Sequence, residues 1–181
     1  LSIKVVNMLS AEYPPRLKKG VGFPLVLFIK GALPDEPLGL AAAIVGSRDS
    51  TCYGERIARS AAKRLTSQGV VIVSGLARGI DTAAHQGALE AAGDLSLYPG
   101  IAVLGSGLEK IYPAANELLA RALIDAGGAV ISEYGVYEGP RKHRFPERNR
   151  IVSGLSDAVI VVEAGLKSGA LITARTAAEQ G

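Results

Sequence analysis

Five short apolar runs constrain this chain more than any other feature. They cover residues 40–45, 70–73, 101–104, 129–131 and 158–162, and they are continuous in Val, Ile, Leu and Ala rather than alternating. A strand with one wet face alternates apolar with polar. A strand buried on both faces does not, and continuous runs of this length mark a parallel sheet covered by helices. Residues 25–29 form a sixth run, expected as an additional edge strand. Helical patterns fill the intervals: 53–68, 80–92 ending at Gly93, 114–126 ending at Gly127 and Gly128, a short helix at 149–155, and another from 170 onward. In the first of these, Ile57, Ala58, Ala61, Ala62 and Leu65 share one face, and Glu55, Arg56, Arg59, Lys63 and Arg64 the other. Residues 93–100 read as a surface loop. Strand and helix alternate throughout, so the expected class is α/β, an open parallel sheet with helices on both faces.

The length of 181 residues suits one domain and buries a substantial core. Residues 1–39 are richer in Pro and read as a lead-in segment packed on a main domain of residues 40–181. The sequence stops within or just past a helix where a strand is expected, so that domain reads as incomplete at its C-terminal end. The single Cys, Cys52, excludes an internal disulfide and a Cys-rich zinc module, and His85 and His143 do not complete a usual zinc site with it. No metal site and no cofactor is expected. Cys52 lacks an identified base, and His85 reads as a packed or surface imidazole on an Ala-rich helix. No apolar stretch approaches a membrane span and the start lacks the zones of a signal peptide, so a soluble cytoplasmic protein is expected.

In an open α/β sheet, ligands sit beyond the carboxyl ends of the strands. Gly46, Ser47 and Arg48 follow the first run; Ser74, Gly75, Arg78 and Gly79 the second; Gly105 and Gly107 the third; Glu133 the fourth; Glu163, Lys167, Ser168 and Gly169 the fifth. Small residues of this kind make tight turns, and they also leave amides open to phosphate at helix N-termini. Five such turns on one edge favour a phosphate site. The P-loop pattern, an intact dinucleotide fingerprint and the hydrolase nucleophile elbow are all missing, so a nucleotidase, a dinucleotide cofactor and a serine hydrolase are unsupported. Arg48, directly after a Gly-Ser turn, projects into the crevice as a phosphate fork or pairs with Asp49 or Asp81.

Residues 141–150 are the most unusual stretch. Arg141, Lys142, Arg144, Arg148 and Arg150 stand against Glu147 alone, a local +4 in a chain whose net charge is +3. The stretch is expected in the loop after the fourth run, at the ligand edge. Cations with an interleaved aromatic suit single-stranded nucleic acid, the cations tracking phosphates and the ring of Phe145 stacking on a base. Equally, Phe145 plugs the core of a solvated loop, and Arg148 and Arg150 pair with Glu133 or Glu163.

Taken together, these motifs resemble the DprA (Smf) family. The resemblance rests on Tyr13-Pro14-Pro15, on Ala43 to Arg48, on Val73 to His85, on Ala102 to Gly107, on Phe145 to Leu155, on Val161 to Ala164 and on Ser168 to Arg175, in that order. It implies an extended Rossmann-like fold that binds single-stranded DNA, protects incoming DNA in natural transformation, loads a RecA-type recombinase and acts as a homodimer without a catalytic step. It implies phosphate contact at Gly46, Ser47 and Arg48, and a DNA pocket wall along Lys142, Arg144, Phe145, Arg148, Asn149 and Arg150. Neutralising about four phosphates would set a log–log salt slope near −3 for single strands. The loop 94–99 looks longer than usual for the family. The alternative is a nucleotide-processing enzyme of the lysine-decarboxylase-like phosphoribohydrolase type, with Glu133 or Glu163 assisting cleavage. A P-G-G-x-G-T turn marks those enzymes, and residues 164–170 do not match it.

Overall fold

The computed structural model describes residues 2–19, 22–34, 39–95, 97–165 and 168–180. Seven strands form one sheet: β1 (Lys4–Asn7), β2 (Val26–Gly31), β3 (Ala41–Gly46), β4 (Val71–Ser74), β5 (Ile101–Val103), β6 (Ala129–Ser132) and β7 (Ala158–Val162). The helices are α1 (Cys52–Thr66), α2 (Ile80–Leu95), α3 (Glu117–Asp125), α4 (Arg144–Gly154) and α5 (Gly169–Gln180). Short 3-10 helices cover Pro15–Lys19 and Ala114–Asn116. No helix of the described residues is long and apolar enough to cross a membrane.

The strand order is β1-β2-β6-β5-β4-β3-β7. β6, β5, β4, β3 and β7 run parallel, as the continuous apolar runs predict. β2 and β1 extend this sheet antiparallel. The sheet is therefore mixed, and the run at 25–29 lies one strand in from the edge, because β1 pairs along its outer side. The fold is an α/β Rossmann-like one.

The pleat explains the lack of alternation. Ala41, Ala43 and Val45 with Val71, Val73, Val103 and Ile131 face a core closed by α4, α5 and the N-terminal segment. Their neighbours Ile44, Ile72 and Val162 face α1 and α2, and Ala102 and Val130 face α3. Both faces are covered, so both phases of the period-2 pattern are apolar.

Helix ends depart from expectation at two places. α2 continues through Gly93 to Leu95, so the reading of 93–100 as loop is corrected at its start; a glycine weakens a helix by less than the surrounding packing holds it. α4 starts at Arg144 rather than at 149, and most of the basic stretch is helix rather than loop. The buried positions of α4 are Arg144, Arg148, Ile151, Val152 and Ser153, with Leu155 just beyond its end. That is a helical stripe whose first two members are arginines, which conceals it from a reading of apolar residues.

His85 settles as a packed imidazole, fully buried on α2. Burial pushes its pKa down to about 4, with the positive charge of Arg148 acting in the same direction. The ring is neutral in the fold and takes a proton only after unfolding, so its contribution is intact above the ordinary pKa of about 6.5 and is lost as the pH falls towards 4. Urea denaturation of wild type and His85→Gln across pH 7 to 4 should show wild type losing about 3 kcal/mol relative to the variant. Parallel pH profiles for the two proteins would contradict the buried neutral ring.

Candidate nucleic-acid interface

A crevice of about 740 Å³ opens beyond the carboxyl ends of β3 and β4, between α4 and the start of α5. Gly46, Ser47, Arg48, Gly75, Lys142, Phe145, Arg148, Asn149, Ser168 and Gly169 line it. A smaller cavity of about 370 Å³ shares Arg48, Gly75, Phe145 and Arg148 and adds Arg78 and Gly105. Lys167 lies outside the described residues. Ser74, Gly79, Arg144 and Arg150 line neither cavity.

The floor is built around Arg148. Its guanidinium is buried beneath the ends of β4 and β5, where it donates to the Gly75 carbonyl at 2.7 Å and to the Val103 carbonyl. Nε donates to the Asn149 Oδ1 at 3.2 Å. Asp81 lies in the same floor and accepts from the Gly75 amide at 3.1 Å and the Ala77 amide at 3.3 Å. Burial raises the Asp81 pKa, and the positive charge of Arg148 opposes that rise. Burial lowers that of Arg148, and Asp81 opposes it in turn. Each charge thus reduces the cost of burying the other.

Aromatic and cationic groups face the opening. The Arg48 guanidinium lies 4.8 Å from the centre of the Phe145 ring, and Tyr112 packs against that ring at 5.5 Å with an interplanar angle of 37°. Among the described residues Arg48 has no carboxylate at ion-pairing distance, so neither Asp49 nor Asp81 holds it. Of the two readings of Phe145, the ring lines the crevice and is only partly buried. Lys142 is exposed on the crevice and Arg78 on the smaller cavity. Ser168 begins the first turn of α5, its hydroxyl accepting from the Ala170 amide at 3.3 Å, so a helix N-terminus opens here.

Arg144 and Arg150 turn away from the crevice. Arg144 pairs with Glu138, donates to the Gly139 carbonyl at 3.1 Å and lies 4.4 Å over the Tyr134 ring. Arg150 pairs with Glu133. The pairing of Arg150 with Glu133 is therefore the reading that the structure supports. The Ser74 hydroxyl donates to the Ile44 carbonyl at 2.6 Å, inside the sheet. Gly79 has φ of 75° and packs under the Ser47 carbonyl.

The glycines of this edge serve close approach. A Cβ at Gly46 would overlap the Val162 carbonyl oxygen and the Ile80 side chain. At Gly75 it would overlap the Arg148 guanidinium, and at Gly105 it would lie 2.9 Å from Phe145 Cδ1. Several amides expected to be open are already used: Ser47 donates to the Glu163 carbonyl at 2.8 Å, and Gly75 and Ala77 donate to Asp81.

The two carboxylates of the enzymatic alternative are engaged. Glu133 holds Arg150. Glu163 accepts from the Thr51 amide at 2.9 Å and the Thr51 hydroxyl at 2.7 Å, which caps α1, and Gly54 leaves room for it. Among the described residues no group of His, Cys, Asp or Glu could hold a metal ion. Sequence reasoning missed Tyr112, although Tyr112-Pro113 follows the third run at the same sheet edge. It named Asp81 only as a partner for Arg48.

A family model described as DNA recombination-mediator protein A matches residues 4–181. Protein Smf of Escherichia coli is 47% identical over 172 residues, which is 95% of this chain and 44% of that protein. DNA processing protein DprA of Bacillus subtilis is 41% identical, covering 99% of this chain and 58% of its own length. This chain thus spans about half the length of these relatives. The X-ray structure of DprA from Streptococcus pneumoniae superposes with a TM-score of 0.85 at 40% identity, over 99% of this chain and 61% of that one. A structure of DNA processing protein A from Helicobacter pylori, which concerns that protein's single-stranded DNA binding mode, gives 0.83 at 31% identity, over 99% and 78%. A molybdenum cofactor binding protein from Rippkaea orientalis, at 21% identity and a TM-score of 0.53, shares the fold alone.

Close packing at Gly46 makes a specific expectation. Gly46→Ala should destabilise the fold by about 1–3 kcal/mol in urea denaturation, since a rigid carbonyl occupies the space of the new methyl. A variant as stable as wild type would return Gly46 to a purely ligand-binding role.

Proposed function

The chain belongs to the DNA recombination-mediator protein A family, and from that premise we propose that its crevice binds single-stranded DNA. The observation that carries this reading is the exposed Arg48 lying against Phe145 at the mouth of the crevice, with no carboxylate at ion-pairing distance among the described residues. A phosphate can take the fork of Arg48 while a base stacks on the ring. Lys142 and Arg78 flank this point, and the N-terminus of α5 adds partial positive charge.

Gly46, Ser47, Arg48, Lys142, Phe145, Asn149, Ser168 and Gly169 form the proposed contact set on the main crevice, with Arg78 and Gly105 on its side cavity. Arg148 and Gly75 build the floor that holds them. Arg144 and Arg150 act by fixing α4 through their carboxylate partners rather than by touching the strand. Residues 40–181 are the proposed binding unit and residues 1–39 its lead-in segment. In the whole protein we assign the wider role to this binding: a cytoplasmic homodimer that protects single strands and delivers them to a RecA-type recombinase. We propose no reaction, because Glu133 and Glu163 are occupied in holding the fold.

With Arg48, Lys142 and Arg78 as the exposed cations that line the two cavities among the described residues, about three phosphates are neutralised, and the log–log salt slope for oligo-dT should be about −2. Arg48→Ala should lower that slope in magnitude by about 0.7 and weaken binding by about five- to a hundredfold. Its melting temperature should remain close to that of wild type. Anisotropy titrations at several salt concentrations, with a duplex of equal length beside the single strand, provide the test. A folded Arg48→Ala protein with unchanged affinity removes Arg48 from the site, and preference for the duplex rejects the reading.

A further inference from the structure

Between β6 and α4 the chain displays a tyrosine that neither cavity uses. Tyr137 is 85% exposed. The backbone on either side of it is fixed. The Gly107 amide donates to the Glu138 carbonyl at 2.7 Å, and the Glu109 amide to the Val136 carbonyl at 2.9 Å. The Glu138 amide closes the turn on the Gly135 carbonyl at 2.9 Å. The Glu138 carboxylate accepts from the Gly135 amide at 3.1 Å and pairs with Arg144. Gly107 packs so closely on Gly135 and Val136 that a side chain there would overlap both carbonyl oxygens. The loop is thus clamped to the β5 end and to the first turn of α4, and the Tyr137 side chain is left in solvent.

Such a ring gains nothing from packing within the chain, and its two faces are free to stack. Arg141, Lys142 and His143 follow it, all exposed, and Lys142 lines the crevice. A rigidly displayed aromatic beside exposed cations is the composition of a single-strand path: every base has a face to stack, and the cations track the phosphates.

The geometry points to Tyr137 as a base-stacking platform outside the crevice, engaging nucleotides of a single strand that leave it past Lys142. This rests on the single-strand reading of the crevice and extends it to a second contact. It assigns a function to the clamp itself: Glu138 and Arg144 hold the turn that presents the ring. The expected effect depends on strand length. A strand long enough to fill only the crevice does not reach Tyr137, and a longer one does.

The test uses oligo-dT of about 4 and about 15 nucleotides, the range of lengths that such sites cover. Affinities are measured for wild type, Tyr137→Ala and Tyr137→Phe. Tyr137→Ala should bind the short strand as wild type does and the long strand about five- to a hundredfold more weakly, with the salt slope unchanged because no charge is lost. Tyr137→Phe should restore the long-strand affinity. Photocrosslinking of a long strand carrying 5-iododeoxyuridine should place an adduct on the peptide that contains Tyr137. Equal affinity of Tyr137→Ala and wild type for the long strand, or an equal loss on both lengths, overturns the inference. If the unsubstituted chain binds neither length, the crevice reading falls and this one with it. If it binds both and Tyr137→Ala changes neither, this inference alone falls, and the exposed ring is left as a surface for a protein.

Discussion

The seat of the Arg148 guanidinium is the contact on which the site depends. Parallel strands end in carbonyls that point past the sheet, and at β4 and β5 two of these accept from one buried side chain. Removing those donors would leave buried carbonyls without partners, at a cost of about 1–3 kcal/mol each. Asp81 balances the charge and holds the amides of the turn after β4. One ion therefore fixes the strand ends, the turn that follows β4 and the start of α4. Phe145 lies three residues earlier on that helix, one turn away, so its ring inherits the placement.

From this contact the glycines of the edge gain a meaning that differs from their appearance. A row of Gly and Ser at strand ends looks like a cradle of open amides. Here the row consists mainly of vacancies for neighbouring chain: Gly75 for the guanidinium, Gly105 for the Phe145 ring, Gly46 for β7 and α2. The anion that sits at the N-terminus of α1 is the protein's own Glu163, held in a left-handed backbone conformation with φ of 54°. Among the described residues that line the cavities, what remains open to an external anion is narrower: Arg48, Lys142, Arg78 and the first turn of α5.

The parallel strands were legible because burial on both faces makes a run continuous, a local property of five or six residues. The N-terminal hairpin was less so, since its place beside β6 is fixed by pairing across about a hundred residues. The crevice edge followed from the rule that open sheets bind ligands at their carboxyl ends, and Arg48 and Phe145 followed from their neighbours in sequence. α4 was misread because the code for a buried helical face is apolar, and this face begins with Arg144 and Arg148. Their burial is possible only because Glu138, the Tyr134 ring and the strand-end carbonyls meet them, and of these only Glu138 and Tyr134 lie nearby in the chain. The local +4 of residues 141–150 was a correct count of charge and a poor measure of available charge.

That distinction sets the balance of forces at the interface. Three of the arginines in the basic stretch, Arg144, Arg148 and Arg150, spend their charge on carboxylates within the fold, so electrostatic attraction rests on few groups. A site with few free cations holds a flexible strand only if another term adds to phosphate contact. On the proposed single-strand reading stacking would supply it, at about 1–3 kcal/mol per base, and unlike phosphate contact it persists as salt rises. Phe145 with Tyr112 at the crevice, and an exposed ring held on the adjoining clamp, are therefore what an interface of modest charge requires. The arginines withdrawn into the fold contribute by fixing the backbone that carries those rings, so that less conformational entropy remains to be lost when a strand arrives.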